Sequence, residues 1–414
     1  PAGSPPAGAW PNPKVSSPAM TEAALSSSER RRSLSAVIAS MTVVSLMYGM
    51  SVPLLALVLE QQGVDSAMIG LNTAVQPLAT LAIAPIAPRL IRALGPAHTM
   101  LYSTVGSAVL FVLLGVFPDV YVWFVLRLAL GACGAFLWIT GEAWVNQVAT
   151  EDVRGRMVGL YSAAGSGGTA LGPLVLLQIG TEGMAPFAAA AGLLLLAGLP
   201  IMAATRVAPR LDGRPSAPLF AFLLLAPTIM LLNLTHGAAI EMFLAFLPIY
   251  GERIGIGADV GLALQTAALL GGIALQIPFG WLADRMDRRL LLSLSVLFMI
   301  VAVVAMPFAL PAGHWAFGFM FVYGGVFSAL YALGIVLLGE RFKGTDLIFA
   351  GTVFNVMWSV GAVVGPPAGG LGMQLWAPHG ILAVLATMWI LYLPVPIVAY
   401  IRQRRRMEGV QHSD

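Results

Sequence analysis

Twelve runs of apolar residues, each long enough to cross the hydrocarbon core of a bilayer, follow one another along this chain. A spanning helix needs about 20 such residues. The runs fall at 36–59, 67–87, 98–117, 120–148, 157–179, 184–203, 219–250, 258–280, 290–309, 313–338, 347–373 and 379–400. Strands of a membrane barrel would be about ten residues long and would alternate, and Leu290 to Leu310 does not alternate. Lipid offers the backbone no partners, so the runs are read as helices. Composition agrees: 58% of the 414 residues are hydrophobic, 10% are charged, and the mean hydropathy is +0.86. With 22 basic and 19 acidic residues the chain cannot cover a water-soluble globule with a polar skin. A soluble enzyme, a disordered chain and a fibrous repeat are therefore excluded.

The basic residues predict the orientation. With the N-terminus in the cytoplasm, 20 of the 22 lie on that side, from Lys14 and Arg30 through Arg206, Arg210 and Arg214 to Arg406. The outer loops keep Arg253 alone, and Arg127 falls inside a span. Both termini and the 204–218 linker are thus expected to be cytoplasmic. Residues 1–35 read as a flexible tail, partly an expression remnant, because the Pro- and Ser-rich start lacks periodicity and Met20 is a plausible first residue. Residues 401–414 read as a basic tail.

An internal repeat divides the chain. The segment 69–95 aligns with 260–286 at a shift of 191, and Gly172-Pro173 matches Gly365-Pro366 at a shift of 193. The expected fold is an all-α integral membrane protein with twelve transmembrane helices in two pseudo-symmetric six-helix bundles. These are 36–203 and 219–400, joined by the linker. Duplicated halves around a central path are a recurring transporter plan.

Specific motifs add to this. Gly280-Trp281-Leu282-Ala283-Asp284-Arg285-Met286-Asp287-Arg288-Arg289 resembles the loop G-x-L-A-D-R-x-G-R-R/K of the major facilitator superfamily, with Asp287 where glycine is usual. Arg127-Leu128-Ala129-Leu130-Gly131 resembles the family's intramembrane R-x-x-x-G. Gly165, Gly168, Gly172 and Pro173 partly match the glycine-rich fifth helix of family exporters. Gly141-Glu142-Ala143-Trp144, with Arg154-Gly155-Arg156 and Tyr161, is similar to a bacterial branch of small-molecule permeases. The resemblance covers about 30–400 and implies a major facilitator fold in a bacterial inner membrane. It implies gating roles for Asp284, Arg285, Arg288, Gly172, Pro173, Gly365 and Pro366. Asp284 can accept bonds from a helix start or pair with Arg288 or Arg285, as a latch on the cytoplasmic side or as a solvated charge. The glycines suit moving interfaces or ordinary tight packing.

Polar groups inside apolar runs are the candidates for function, because each is costly there. Arg127 is a permanent cation, suited to holding an organic anion, pairing with an acid, or tying helices together. Glu142, about 22 Å further along the same helix, can exchange protons or bond a neighbouring helix. Glu241 is the leading proton-coupling candidate, with Glu142 and His236 as the others. His236 and Glu241 are five residues apart, so they point about 140° apart on one helix. Asn72, Gln76, Asn233, Gln265 and Asn355 can contact substrate or bond between helices. Tyr48, Trp138, Tyr331 and Trp358 are aromatic candidates for a cavity wall.

Several chemistries lack a sequence basis. One cysteine, Cys133, permits neither an intrachain disulfide nor a cysteine-built metal site. There is no G-x-x-x-x-G-K-[ST] and no H-E-x-x-H. No metal, cofactor or nucleic-acid partner is expected, and a monomer is. The expected function is secondary active transport of a small organic molecule by alternating access, with protons driving export. Organic-anion uptake, uncoupled facilitation, and a transport-inactive receptor or scaffold are the alternatives.

Overall fold

The computed structural model describes residues 26–209 and 225–411. In chain order the helices are α1 (Ser27–Gln61), α2 (Ser66–Ile83), α3 (Ala87–Leu94), α4 (Pro96–Val116), α5 (Val120–Val148), α6 (Arg154–Ile179) and α7 (Ala185–Ala204). After a 3-10 turn at Thr205–Val207 come α8 (Pro227–Arg253), α9 (Ala258–Ala274), α10 (Gln276–Arg285), α11 (Arg288–Ala309), α12 (His314–Arg341), α13 (Gly344–Leu375), α14 (Gly380–Tyr392) and α15 (Pro394–Gln411). Among the described residues eleven helices are long and apolar enough to cross a membrane, and the α9–α10 pair, bent by 45°, raises the number to twelve if it is one span. The protein is thus an all-α multi-span membrane protein.

Several boundaries differ from the sequence reading, each for a local reason. The first helix starts at Ser27 rather than 36, because Ser26 and Glu29 form a capping box: the Glu29 amide donates to Ser26 Oγ at 3.3 Å and the Ser26 amide to Glu29 Oε2 at 2.9 Å. Arg30, Arg31 and Arg32 therefore lie on a helix, and Arg32 donates to the Ala203 carbonyl at 2.6 Å. The last span is interrupted at Leu393, where Pro394 removes a backbone donor. The basic tail from 401 continues as helix to Gln411. Residues 1–25 of the expected tail, most of the linker and the start of the seventh run lie outside the described residues.

Short aspartates start several spans. Asp65 accepts the Met68 amide at 2.9 Å, and Asp119 accepts the Tyr121 and Val122 amides at 2.9 Å. Each satisfies donors that the first turn of a helix leaves open.

Within the first half of the chain α1 packs on α5, α6 and α7, and α4 on α5 and α7. Within the second half α8 packs on α9 and α13, α9 on α12, and α11 on α12 and α14. Lipid tails are as apolar as leucine, so helices in a membrane gain more from close backbone approach than from burial. Gly168 and Gly172 provide that approach for α6 on α1, where an added Cβ would meet the Thr42 carbonyl and the Gly49–Met50 peptide. Gly361 and Gly365 do the same for α13 on α8, against Leu234 and Ala238. Among the described residues the main pairings that join the halves are α2 with α13, α6 with α9, and α1 with α8.

The joins are tight at one end. A Cβ on Gly70 would strike the Pro366 carbonyl, and one on Gly370 the Ser66 carbonyl. Arg253 of α8 forks onto Glu60 of α1, Nε to Oε1 and Nη2 to Oε2 both at 2.9 Å, and reaches Ser66 Oγ at 2.8 Å. Towards the opposite, basic end, Glu142, Asn146, Ser162 and Asn355 are exposed along helices that hydropathy places in the membrane. Polar side chains are costly against lipid, so these face an interior space open towards that end.

Candidate functional site

The α1–α8 seam carries a buried polar cluster about halfway along both helices. The Tyr48 hydroxyl donates to Glu241 Oε1 in a short contact between α1 and α8. Arg127 of α5 donates from Nη1 to Asn72 Oδ1 of α2 at 3.1 Å and lies within electrostatic reach of Glu241 and Tyr48. Arg127 is 1% exposed and Glu241 2%. A buried unpaired charge is far costlier than a hydrogen-bonded and compensated one, so each ion stabilises the other's place in the membrane. The Arg127 Nε and Asn72 Nδ2 groups remain without partners. Trp138 meets the Tyr48 ring edge-on with centroids 6.5 Å apart.

The spacing of the cross-half pairs is informative. Tyr48 and Glu241 are 193 positions apart, and so are Glu60 and Arg253. That is the shift between Gly172-Pro173 and Gly365-Pro366. Residues at equivalent places in the two halves therefore face each other along the seam, as an isologous contact requires. The sequence reading named Tyr48 as a cavity aromatic and Arg253 as the lone basic residue of the outer loops, but paired neither. The repeat shift was the signal that could have paired them.

A second cluster lies nearer the basic end. Glu142 is exposed, and its carboxylate makes no hydrogen bond or ion pair among the described residues. It lies within electrostatic reach of Tyr161 of α6 and Tyr331 of α12. His236 is buried and stacks on Phe327 at 4.2 Å, with Tyr331 at 5.4 Å. Neither of its ring nitrogens makes a hydrogen bond of good geometry, although the Phe327 backbone lies close to the ring. His236 and Glu241 thus face different neighbours, in keeping with the angle between them on α8.

The other polar candidates divide between interior surface and helix packing. Asn233 is fully buried and donates to the Phe354 carbonyl at 2.6 Å, which ties α8 to α13. Gln265 is fully buried and donates to the Leu244 carbonyl at 2.9 Å, which ties α9 to α8. Both donors are engaged between helices of one half, so a substrate meets neither without rearrangement. Gln76 is half-buried where the Gly131 backbone approaches its carbonyl. Asn355 is exposed and its carbonyl accepts from Ser359 Oγ at 3.1 Å. Gly172 and Pro173 lie on α6 and Gly365 on α13, at seams inside their own halves, whereas Pro366 touches the other half at Gly70.

The loop motif is rearranged relative to expectation. Asp287, not Asp284, starts α11, accepting the Arg289 and Leu290 amides at 2.9 and 3.0 Å. Three residues separate Asp284 from the first residue of that helix, too far back to accept those donors, and Asp287 takes its place in the capping role. Asp284 is exposed and pairs with Arg288 at 3.6 Å. Arg288 also contacts Glu340 of α12, and Arg285 lies over the Trp281 ring at 3.7 Å. Among the described residues no group of three or more His, Cys, Asp or Glu is placed to hold a metal ion.

Comparison with known proteins places this geometry. The chain is 25% identical over 364 residues to the uncharacterized MFS-type transporter YfkF of Bacillus subtilis strain 168, a match that covers 83% of this chain and 90% of the relative. Its fold is similar to the crystal structure of nucleoside transporter NupG, with a TM-score of 0.73 at 14% identity, over 89% of this chain and 97% of that one. It is also similar to a bacterial homolog of the human lysosomal transporter Spinster in an inward-facing, unoccupied conformation, with a TM-score of 0.72 at 14% identity, over 92% and 98% of the two chains. The family model described as Major Facilitator Superfamily matches residues 37–271 and 229–413, and the chain belongs to that superfamily.

Proposed function

We propose that this protein is a secondary active transporter that moves a small organic molecule across a bacterial inner membrane by alternating access. Two six-helix halves, 36–203 and 219–400, rock about the α1–α8 seam, with both termini cytoplasmic. Protons drive the movement, and the glycine-rich α6 favours export. Membership of a superfamily that includes transporters supports the class of activity. The single observation that carries the coupling is the buried Tyr48–Glu241 bond joining the two halves beside Arg127.

A carboxylate there draws on the Tyr48 proton and the Arg127 charge, the first attraction holding α1 and the second α5 against α8. A proton on Glu241 removes the charge and weakens both. The seam loosens and the halves reorient, and release of the proton on the other side restores the bond. One titrating group therefore links proton movement to the two states. Asp284, paired with Arg288 at the basic end, serves as a latch when that end closes.

Proteoliposome flux of a broad panel of small organic molecules, with and without a pH gradient, tests this reading. Glu241→Gln mimics the protonated form and should abolish gradient-driven accumulation while exchange at equal pH persists. Full gradient-driven accumulation by Glu241→Gln refutes Glu241 as the proton carrier.

A further inference from the structure

The interior space has a charge preference that the mid-seam cluster does not reveal. Arg127, the obvious anchor for an anion, is 1% exposed, bonded to Asn72 and compensated by Glu241. An anionic substrate would have to displace a buried carboxylate to reach it. The carboxylate on the α5 face towards that space is Glu142. Glu142 is exposed to that space, unpaired among the described residues, and about 22 Å along α5 from Arg127.

Three aromatic residues lie near it. Trp138 lies four residues before Glu142 on α5, hence on the same face one turn nearer the seam, and is 36% exposed. Tyr161 of α6 and Tyr331 of α12, one from each half of the chain, lie within electrostatic reach of Glu142. The Tyr161 ring is half-buried, and its hydroxyl lacks a hydrogen-bond partner. Among the described residues α5 and α12 do not pack along one another, and Glu142 and Tyr331 are nevertheless within electrostatic reach. A carboxylate among aromatic faces recognises a cation that is itself apolar, because the rings attract its charge and accept its hydrocarbon.

We propose that the space between α5, α6 and α12 is a binding site for a lipophilic organic cation, its charge held by Glu142 and its apolar part by Trp138, Tyr161 and Tyr331. This rests on the transport reading only for its physiological use; binding itself needs no gradient. The site spans both halves, so an occupant contacts α5 and α6 of one and α12 of the other, which lets its arrival bias the rocking equilibrium.

Equilibrium titration of the purified full-length chain in lipid nanodiscs tests the proposal, with tetraphenylphosphonium as the cation and tetraphenylborate as an anion of the same shape. Tetraphenylphosphonium should bind with heat release or tryptophan quenching, and tetraphenylborate should bind at least about tenfold more weakly to the same site. Glu142→Gln should weaken the cation about tenfold or more, since it removes a charge that is not otherwise compensated. Glu142→Asp should recover part of that loss, and Trp138→Ala should weaken the cation while Trp138→Phe retains most of it. Thermal unfolding of each variant identifies any that has simply lost its fold, and Glu142→Asp then decides. Equal affinity of wild type and Glu142→Gln for the cation, or preference for tetraphenylborate, overturns the proposal. Gradient-driven flux is measured separately: cation binding with no flux of the cation or of any panel molecule leaves this site standing and sinks the transport reading, and flux with unchanged Glu142→Gln binding does the reverse.

Discussion

The Glu60–Arg253 bridge offers the sharpest test of how the halves are held. It joins the ends of α1 and α8 where the structure is closed, and its side chains are 20% and 25% exposed. Glu60→Gln keeps the size and one acceptor oxygen but removes the charge and one arm of the fork. A fully exposed pair is worth about 0.2–1 kcal/mol, and a hydrogen bond to a charged group in a buried place about 1.5–3 kcal/mol. At this partial burial, with two parallel bonds, the loss is about 1–2 kcal/mol, discounted for screening by nearby solvent. Every 1.4 kcal/mol is tenfold in an equilibrium, so the ratio of closed to open states at this end should fall by about 5- to 30-fold. Spin labels on the α1–α2 and α8–α9 turns, read by pulsed distance measurement, report the two populations. Arg253→Lys should produce a similar shift, because lysine keeps the charge and loses the fork. The double variant should show less than the sum, as expected for one shared interaction. An unchanged distance distribution in both single variants would refute the bridge as a closure element and leave the α2–α13 contact to do that work.

Three further outcomes can be checked. Gly70→Ala places a methyl against the Pro366 carbonyl; overpacking of this kind costs about 1–3 kcal/mol, so the same labels should show opening at that end, and unaltered distances would mean the contact yields freely. Asp287→Ala should lower unfolding stability in detergent by about 1 kcal/mol through loss of a helix cap, whereas Asp284→Asn should leave stability within about 0.5 kcal/mol yet shift distances at the basic end; the reverse order of stabilities would disprove the assignment of the cap. Cysteines introduced at Ser216 and Asp65, in a chain lacking Cys133, should label from opposite sides of the membrane, with Asp65 accessible from outside intact cells; labelling of both from outside would overturn the proposed orientation.

The sequence by itself determined the membrane class and where the spans lie, because hydropathy and helix formation are local properties of consecutive residues. It also singled out Arg127, Glu142, Glu241 and His236, since any ionisable group in an apolar run is conspicuous. Even the divergence of His236 and Glu241 on α8 followed from helix geometry alone. The tertiary structure decided partners. Asn72 meets Arg127 across 55 positions, and Asn233 reaches α13 rather than open space. Such pairings depend on how each helix is rotated and crossed against its neighbours, which the glycine contacts on α6 and α13 set and no single run encodes. The same holds at the loop, where two aspartates three positions apart look alike in sequence but only Asp287 stands where α11 begins. Tyr48–Glu241 and Glu60–Arg253 fall between these cases: the repeat shift of 193 was legible in the chain, but only the packing of α1 on α8 made equivalent positions meet.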